Sequence, residues 1–360
     1  MRVVAALSGG VDSSVTCALL AREGHEVIGV TLKLWTPQAA AEGGKSGGCC
    51  SPRDIGHARE VCRQLGLPHY TLNTEEKFRR DVVDDFVSEY VSGRTPNPCV
   101  RCNAFIKFDF LLKYAAAMDA DALATGHYAR ITHSGDRFEL RRAADPSKDQ
   151  SYFLYMLGPS QLPRLLFPVG GLEKTQVRGI AESLGLATAG KRDSQDVCFL
   201  EGRDYRDFVE ERLPAGGVGA AARGPIMTAD GKVVGRHDGL FRYTVGQREK
   251  LGVSLGSRHY VVKKDMPANA LVLGRRDENT ADSCRVGSVN WCAGSPPAEN
   301  FRASVRLRYR HAGAAAEVTA RDGGRAEVRF DSGQAPVTAG QSAVFYDGDV
   351  VLGGGIVDEA

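Results

Sequence analysis

Residues 2–14 read RVVAALSGGVDSS, and this stretch decides the fold. Val3 to Leu7 is an apolar run with the length of a short buried strand. Ser8, Gly9 and Gly10 turn the chain. Asp12, Ser13 and Ser14 then open an amphipathic stretch, VTCALLAREG, predicted as a helix ending at Gly24. A strand, a Gly-rich turn and a helix N-terminus together make a phosphate cradle. The glycines let backbone N–H groups close on phosphate oxygens, the positive end of the helix dipole favours the charge, and Ser8, Ser13 and Ser14 add hydroxyl donors. Asp12 cannot help an anion directly, so it is expected to share a Mg²⁺ ion with the phosphates.

No Gly-Lys-Ser/Thr is present, so this is not the loop that grips a β,γ-phosphate with a lysine. The order Ser-Gly-Gly-Val-Asp-Ser resembles the pyrophosphate loop of enzymes that split ATP between its α- and β-phosphates and adenylate a substrate. Outward from the loop the pattern is β-α-β-α-β-α, which predicts a parallel sheet with helices on its faces. HEVIGVTLKLW is the second strand, with a ligand expected near Leu32 at its end. Residues 36–48 read as a mobile loop before Cys49-Cys50. Ser51 is a good N-cap and Pro52 suits the first helical position of DIGHAREVCRQLG, which ends at Gly66. PHYTLN is the third strand and EKFRRDVVDDFVSEYVSG a longer helix.

At 360 residues the chain is too long for one ordinary core. The reading gives three domains: 1–200, α/β and doubly wound with a mostly parallel sheet; 201–278, a small β-rich domain; and 279–360, all β, a barrel or sandwich. A hydrophobic share of 42% and a charged share of 25% are those of a soluble globular protein. No run approaches the ~18 apolar residues of a membrane helix. The N-terminus enters a strand directly, so no signal peptide is read and a cytoplasmic location is expected. Nine cysteines in such a protein argue for thiol chemistry or metal ligation and against a disulfide framework. The net charge of +2 neither supports nor excludes nucleic acid.

Two prolines flank Asn97 and make 95–99 a rigid loop. Cys99 and Cys102 form a C-x-x-C at the start of the helix IKFDFLLKYAAAM, where the helix N-terminus, Arg101 and Lys107 favour thiolate. Residues 122–131 read as one more strand, followed by a hairpin, ARITHSGDRFELRRA, and a helical stretch, KDQSYFLYML. Cys198 closes the first domain. Three readings stand for Cys99, Cys102 and Cys198: a persulfide-and-nucleophile pair of Cys102 and Cys198, three ligands of a [4Fe–4S] cluster, or small core residues. Zinc lacks its second ligand pair. Cys17 and Cys62 fall inside helical patterns as core, and Cys284 and Cys292 carry no role. In RASVRLRYRH, Arg302, Arg306, Arg308 and Arg310 take alternate positions. On one strand they would form an arginine ladder facing a phosphate backbone; a solvated charged face is the plainer reading.

The set SGGVDSSV, CCSPRD, GRTPNPCVRCN, ATGHYAR, KDQSYFLYML, LEKTQVRGIAESLGL, KRDSQDVCF, TVGQREKLG and GQSAVFYDGDVVLGGG resembles, in order and spacing over almost the whole chain, the tRNA 2-thiouridylase family. The resemblance implies ATP held by Ala6, Leu7, Ser8, Gly9, Gly10, Val11, Asp12 and Ser13, with Leu32 and Gly126. It implies adenylation of O2 on the wobble uridine, Cys198 as persulfide carrier and Cys102 as nucleophile with a transient disulfide between them. Asn97, Pro98 and Cys99 would meet the flipped target base. His127, Lys148, Asp149, Gln150, Arg308, Tyr309 and Gln341 would touch tRNA, with Lys, Glu and Gln acceptors expected. A cysteine desulfurase or sulfur-relay protein would supply sulfur. Cys99 departs from the pattern, since well-known members carry Asp there. The cysteine triplet instead resembles a subgroup assigned a [4Fe–4S] cluster, and cluster and persulfide stand side by side. An amidating pyrophosphate-loop adenylase, or a non-catalytic RNA-binding protein, are the competing functions.

Overall fold

Val3, Val4 and Ala5 are fully buried at the centre of a five-stranded parallel sheet. The computed structural model describes residues 1–36, 51–191, 197–213, 221–275 and 277–359; Cys49, Cys50 and most of the 36–48 loop lie outside them. The chain runs β1 (Arg2–Ala6), α1 (Val11–Arg22), β2 (Glu26–Lys33), α2 (Pro52–Leu65) and β3 (His69–Asn73). It continues through α3 (Glu75–Phe78), a π-helical stretch Arg79–Val83 and α4 (Asp84–Val91), then α5 (Pro98–Arg101), a second π stretch Cys102–Phe110 and α6 (Leu111–Ala117). After β4 (Ala122–Ala124) come β5 (Ala129–Ser134), β6 (Arg137–Arg142), β7 (Leu165–Leu166) and α7 (Lys174–Ser183).

Local chemistry explains the boundaries. Ser51 caps α2 in a reciprocal box with Asp54, Pro52 takes the first position, and Gly66 ends the helix with φ 69°. β2 is buried from Val27 to Leu32, as a central parallel strand must be. The sheet order is β3-β2-β1-β4-β7. The run 122–131 is not one strand. It breaks at residues 125–128, and from Ala129 the chain pairs as the β5–β6 hairpin of a different sheet. Of the expected helical stretch at 148–157, only a 3₁₀ turn at Ser151–Phe153 forms.

α8 (Tyr205–Glu210) leads into a four-stranded sheet of β8 (Gly224–Thr228), β9 (Val233–His237), β10 (Tyr260–Asp265) and β11 (Ala270–Gly274). The last region holds β12 (Ala281–Trp291), β13 (Asn300–Arg306), β14 (Ala314–Arg321), β15 (Arg325–Gln334), β16 (Ser342–Asp347) and β17 (Val350–Glu359). The pairing β12–β17 closes these six into a barrel around Val305, Val318, Val328 and Phe345. The β5–β6 hairpin of the first region joins this sheet through Val350 opposite Arg141, and Asp349 receives both Arg130 and Arg141. Among the described residues, no helix is long and apolar enough to cross a membrane.

Candidate functional site

β1 pairs with β2 on one side and with β4 on the other, and β4 is reached only after β3, so the strand order turns back beside β1 and the C-terminal ends of β1 and β4 make the crevice of such a switch point. Residues 7–10 and 125–128 form its lips. Gly10 caps α1 in extended conformation with no side-chain cap, so the first N–H groups of the helix are left for an anion. Gly9 has φ 67°, and a Cβ there would stand 2.2 Å from the carbonyl oxygen of Asp54. A Cβ on Gly126 would stand 2.7 Å from the backbone nitrogen of Ser13. Both glycines are therefore needed for close backbone approach. The hydroxyls are ordered: the Ser8 backbone N–H donates to Ser13 Oγ at 3.2 Å, and Ser14 Oγ donates to the Gly10 carbonyl at 2.8 Å. This cradle fits the phosphates of ATP.

Lys174, Tyr128, Lys191 and Asp54 join this site without any role assigned to them from the sequence. Lys174, at the start of α7 and only 9% exposed, donates to both oxygens of Asp12 at 2.7 and 2.8 Å. The Tyr128 hydroxyl donates to Asp12 Oδ1 at 2.8 Å. Lys191 bridges the Gly9 carbonyl, at 2.8 Å, and the Asp54 carboxylate. The signal was available, since Lys174 and Lys191 lie within the quoted LEKTQVR and KRDSQDVCF. A carboxylate offers about four lone-pair positions, and three at Asp12 are taken. The fourth suits Mg²⁺, which needs only one or two carboxylates beside phosphate oxygens and water.

Leu32 is buried near the end of β2. Asn97 precedes α5, Pro98 takes its first position, and Cys99 is exposed on its first turn. Cys102 opens the second π stretch and is 7% exposed. Cys198 is half-buried, and its neighbour Phe199 is locked edge-on against Trp35, Phe78 and Phe86. Arg101, expected to favour thiolate, spends its charge on Asp85 at 3.0 Å and lies over the Phe105 ring. Cys99, Cys102 and Cys198 are all described, yet among the described residues no three His, Cys, Asp or Glu side chains are gathered to hold a metal.

His127 packs between Phe108 and Phe167 and shares a 2.7 Å hydrogen bond with Thr125. Burial, and then the Lys107 ammonium, push its pKa well below the ordinary imidazole value. Lys148 is half-buried, whereas Asp149 is buried and turned inward. Asp149 accepts from Arg306 at 2.9 Å and from the backbone N–H groups of Ala143 and Ser151. Gln150 is tied to Tyr128. The expected arginine ladder does not form. β13 ends at Arg306, so Arg308 and Arg310 sit in the following turn. Arg302 is paired with Asp331, and Arg306 holds Asp149 and the Tyr309 carbonyl. The even-odd spacing read as one strand face is ended by a turn that the Arg306 guanidinium itself stabilises. Arg308 and Arg310 remain exposed. Tyr309 lies 4.7 Å from Phe153, ring to ring.

The other four described cysteines are core. Burial pushes Cys17 well up, Cys62 to about 11, and Cys284 and Cys292 to about 12. Thiols held protonated are poor nucleophiles. Iodoacetamide at pH 8 therefore leaves all four unmodified in native protein and labels them in urea, as read by peptide mass spectrometry. Native labelling of any of them at the rate of a free thiol overturns this.

The tRNA methyl transferase HUP domain family matches residues 1–202, the tRNA methyl transferase PRC-barrel domain 206–275, and the aminomethyltransferase beta-barrel domain 281–357. A tRNA-specific 2-thiouridylase MnmA of Geotalea uraniireducens is 48% identical over 100% of this chain and 95% of its own length. Those of Geobacter metallireducens, at 48% over 100% and 97%, and of Solibacter usitatus, at 47% over 99% of each, are equally extensive matches. The nucleotide cradle, the three-part architecture and identity of this extent lead to one assignment: the chain belongs to the tRNA-specific 2-thiouridylase family, pyrophosphate-loop ATPases that transfer sulfur to tRNA uridine.

Proposed function

We propose that the enzyme 2-thiolates the wobble uridine of tRNA through an adenylated base and a persulfide on Cys198. The observation that carries this reading is the cradle around Asp12: glycine turns, ordered serines, and the Lys174 and Lys191 cations at the C-terminal ends of β1 and β4. Residues 6–13 hold the phosphates of ATP, with Leu32 and Gly126 against the nucleotide. Asp12 would hold Mg²⁺, which supplies charge neutralisation on the phosphates. Lys174 and Lys191 add fixed positive charge where pyrophosphate departs.

The uridine O2 attacks the α-phosphorus, pyrophosphate leaves, and the N3 proton is lost. The terminal sulfur of the Cys198 persulfide attacks C2, and AMP leaves with the former O2. The Cys102 thiolate then attacks Cys198 Sγ. The S–S bond to the delivered sulfur breaks, its electron pair stays on 2-thiouridine, and a Cys102–Cys198 disulfide remains for a thiol reductant. Asn97, Pro98 and Cys99 face the flipped base, and the exposed Arg308 and Arg310 meet the phosphate backbone. Lys, Glu and Gln acceptors are the expected tRNAs, and a cysteine desulfurase or relay protein the sulfur source, in the cytoplasm.

The test is anaerobic purification, iron counting, and 2-thiouridine by mass spectrometry on wild type and Cys99→Asp. With tRNA, ATP and a persulfide donor, both proteins make one AMP per 2-thiouridine and neither needs iron. About four irons in wild type, with iron and activity lost together in Cys99→Asp, replaces the persulfide route by a cluster route. AMP formation without tRNA would point to a different substrate.

A further inference from the structure

The loop that carries Asn97, Pro98 and Cys99 belongs to the first domain, yet the barrel holds it. The Thr95 N–H donates to the Ala339 carbonyl at 2.9 Å. Gln341 Nε2 donates back to the Thr95 carbonyl at 2.9 Å and reaches the Pro96 carbonyl at 3.4 Å. Between them Gly340, at φ 89°, presses on the same peptide: a Cβ there would stand 2.8 Å from Thr95 N and 2.9 Å from Thr95 O. The turn is itself braced, because the Gly340 N–H donates to Val357 O and the Val357 N–H to Gln341 O, at 2.9 and 2.8 Å. On the other side of the loop, Tyr152 is hydrogen-bonded to Asn97 and donates to the Ser342 carbonyl at 2.9 Å. Arg94, just upstream, donates to Val357 O and pairs with Asp358. Both backbone polar groups of Thr95 are thus spent on residues 339–341.

We propose that this turn is a positioning element for the sulfur-transfer step, and that Gln341 is a positioning residue whose amide sets the conformation of 95–99. The proposal rests on the reading that 95–99 faces the target base. Physically, Pro96 and Pro98 make the loop stiff, and stiffness is useful only if the segment is aimed. Two hydrogen bonds from a closed barrel aim it without relying on bound tRNA. On this view the barrel acts on the rate of the chemistry as well as on affinity. Gln341 then differs from an ordinary tRNA contact, because its donor is already used inside the protein.

The experiment uses full-length enzyme with Gln341→Met, which keeps the volume and removes the donor, and Gly340→Ala, which removes no polar group. Three readouts are taken: tRNA Kd by filter binding, the single-turnover rate of 2-thiouridine formation at saturating tRNA and ATP, and the iodoacetamide labelling rate of Cys102 without tRNA. The expected result in both variants is a rate lowered about tenfold, a Kd within twofold of wild type, and Cys102 labelled severalfold faster. A Kd weakened fivefold or more, with unchanged saturating rate and labelling, overturns the proposal and makes Gln341 a tRNA contact. The labelling readout needs no catalytic role for Cys102, so it is independent of the mechanism above. That mechanism fails on its own terms if Cys102→Ser still thiolates.

Discussion

Cys102→Ser abolishes 2-thiouridine formation, by at least about a thousandfold, while tRNA-dependent release of pyrophosphate persists. A serine hydroxyl is not ionised at neutral pH and cannot reduce a sulfur–sulfur bond, so nucleophilic release at Cys198 stops. The nucleotide cradle is built from β1, α1, β4 and α7 and contains no cysteine contact among its described hydrogen bonds. Adenylation should therefore survive the change. Cys198→Ser should behave alike, since it removes the carrier. The two activities are separated by measuring pyrophosphate and 2-thiouridine in the same single-turnover reaction. Loss of both together would mean that Cys102 supports the nucleotide site. Retention of both would mean that sulfur arrives by a route avoiding these thiols, as an amidating relative would require.

The second large effect is on stability. Asp149 is 5% exposed, and its partner Arg306 is only 12% exposed at the side chain. Removing one member of such a pair leaves an uncompensated buried charge, so Arg306→Ala should cost about 3–5 kcal/mol. The substitution also withdraws donors from the Tyr309 and His311 carbonyls, so the turn carrying Arg308 should loosen. The double change Asp149→Asn with Arg306→Met should recover much of the loss, because no charge is then stranded. Urea denaturation of the three proteins checks this. Equal stability of wild type and Arg306→Ala would show that water reaches Asp149 and that the pair is a surface pair in effect.

The parallel sheet, its phosphate loop and the α2 cap were legible because each is set by local chemistry: apolar runs, a glycine turn, and Ser51-Pro52 before a helix. What escaped was decided at long range. Nothing within residues 122–131 says that Ala124 and Ala129 serve different sheets, because the hairpin's place is set by β17, more than two hundred residues away. The arginines show the same limit. Their alternation is real, but a strand ends where its hydrogen-bonding neighbour ends, and β14 pairs β13 only to Val305. Lys174 and Lys191 were read only as motif letters, since an amphipathic pattern places a helix without saying which carboxylate its first residue meets. The clamp on Thr95 was invisible for that reason too.

That clamp fixes an order of events in the life of the chain. β17 is made after every other described strand, and Arg94, Gly340 and Gln341 all depend on its Val357. The N-terminal sheet can form from its own neighbours during synthesis, with its nucleotide cradle assembled on it. The segment at 95–99 cannot be held in this way until β17 has closed the barrel. A still-growing chain can thus fold its nucleotide cradle while the loop at 95–99 stays unset. The setting of this loop is in effect coupled to barrel closure, because both wait on β17.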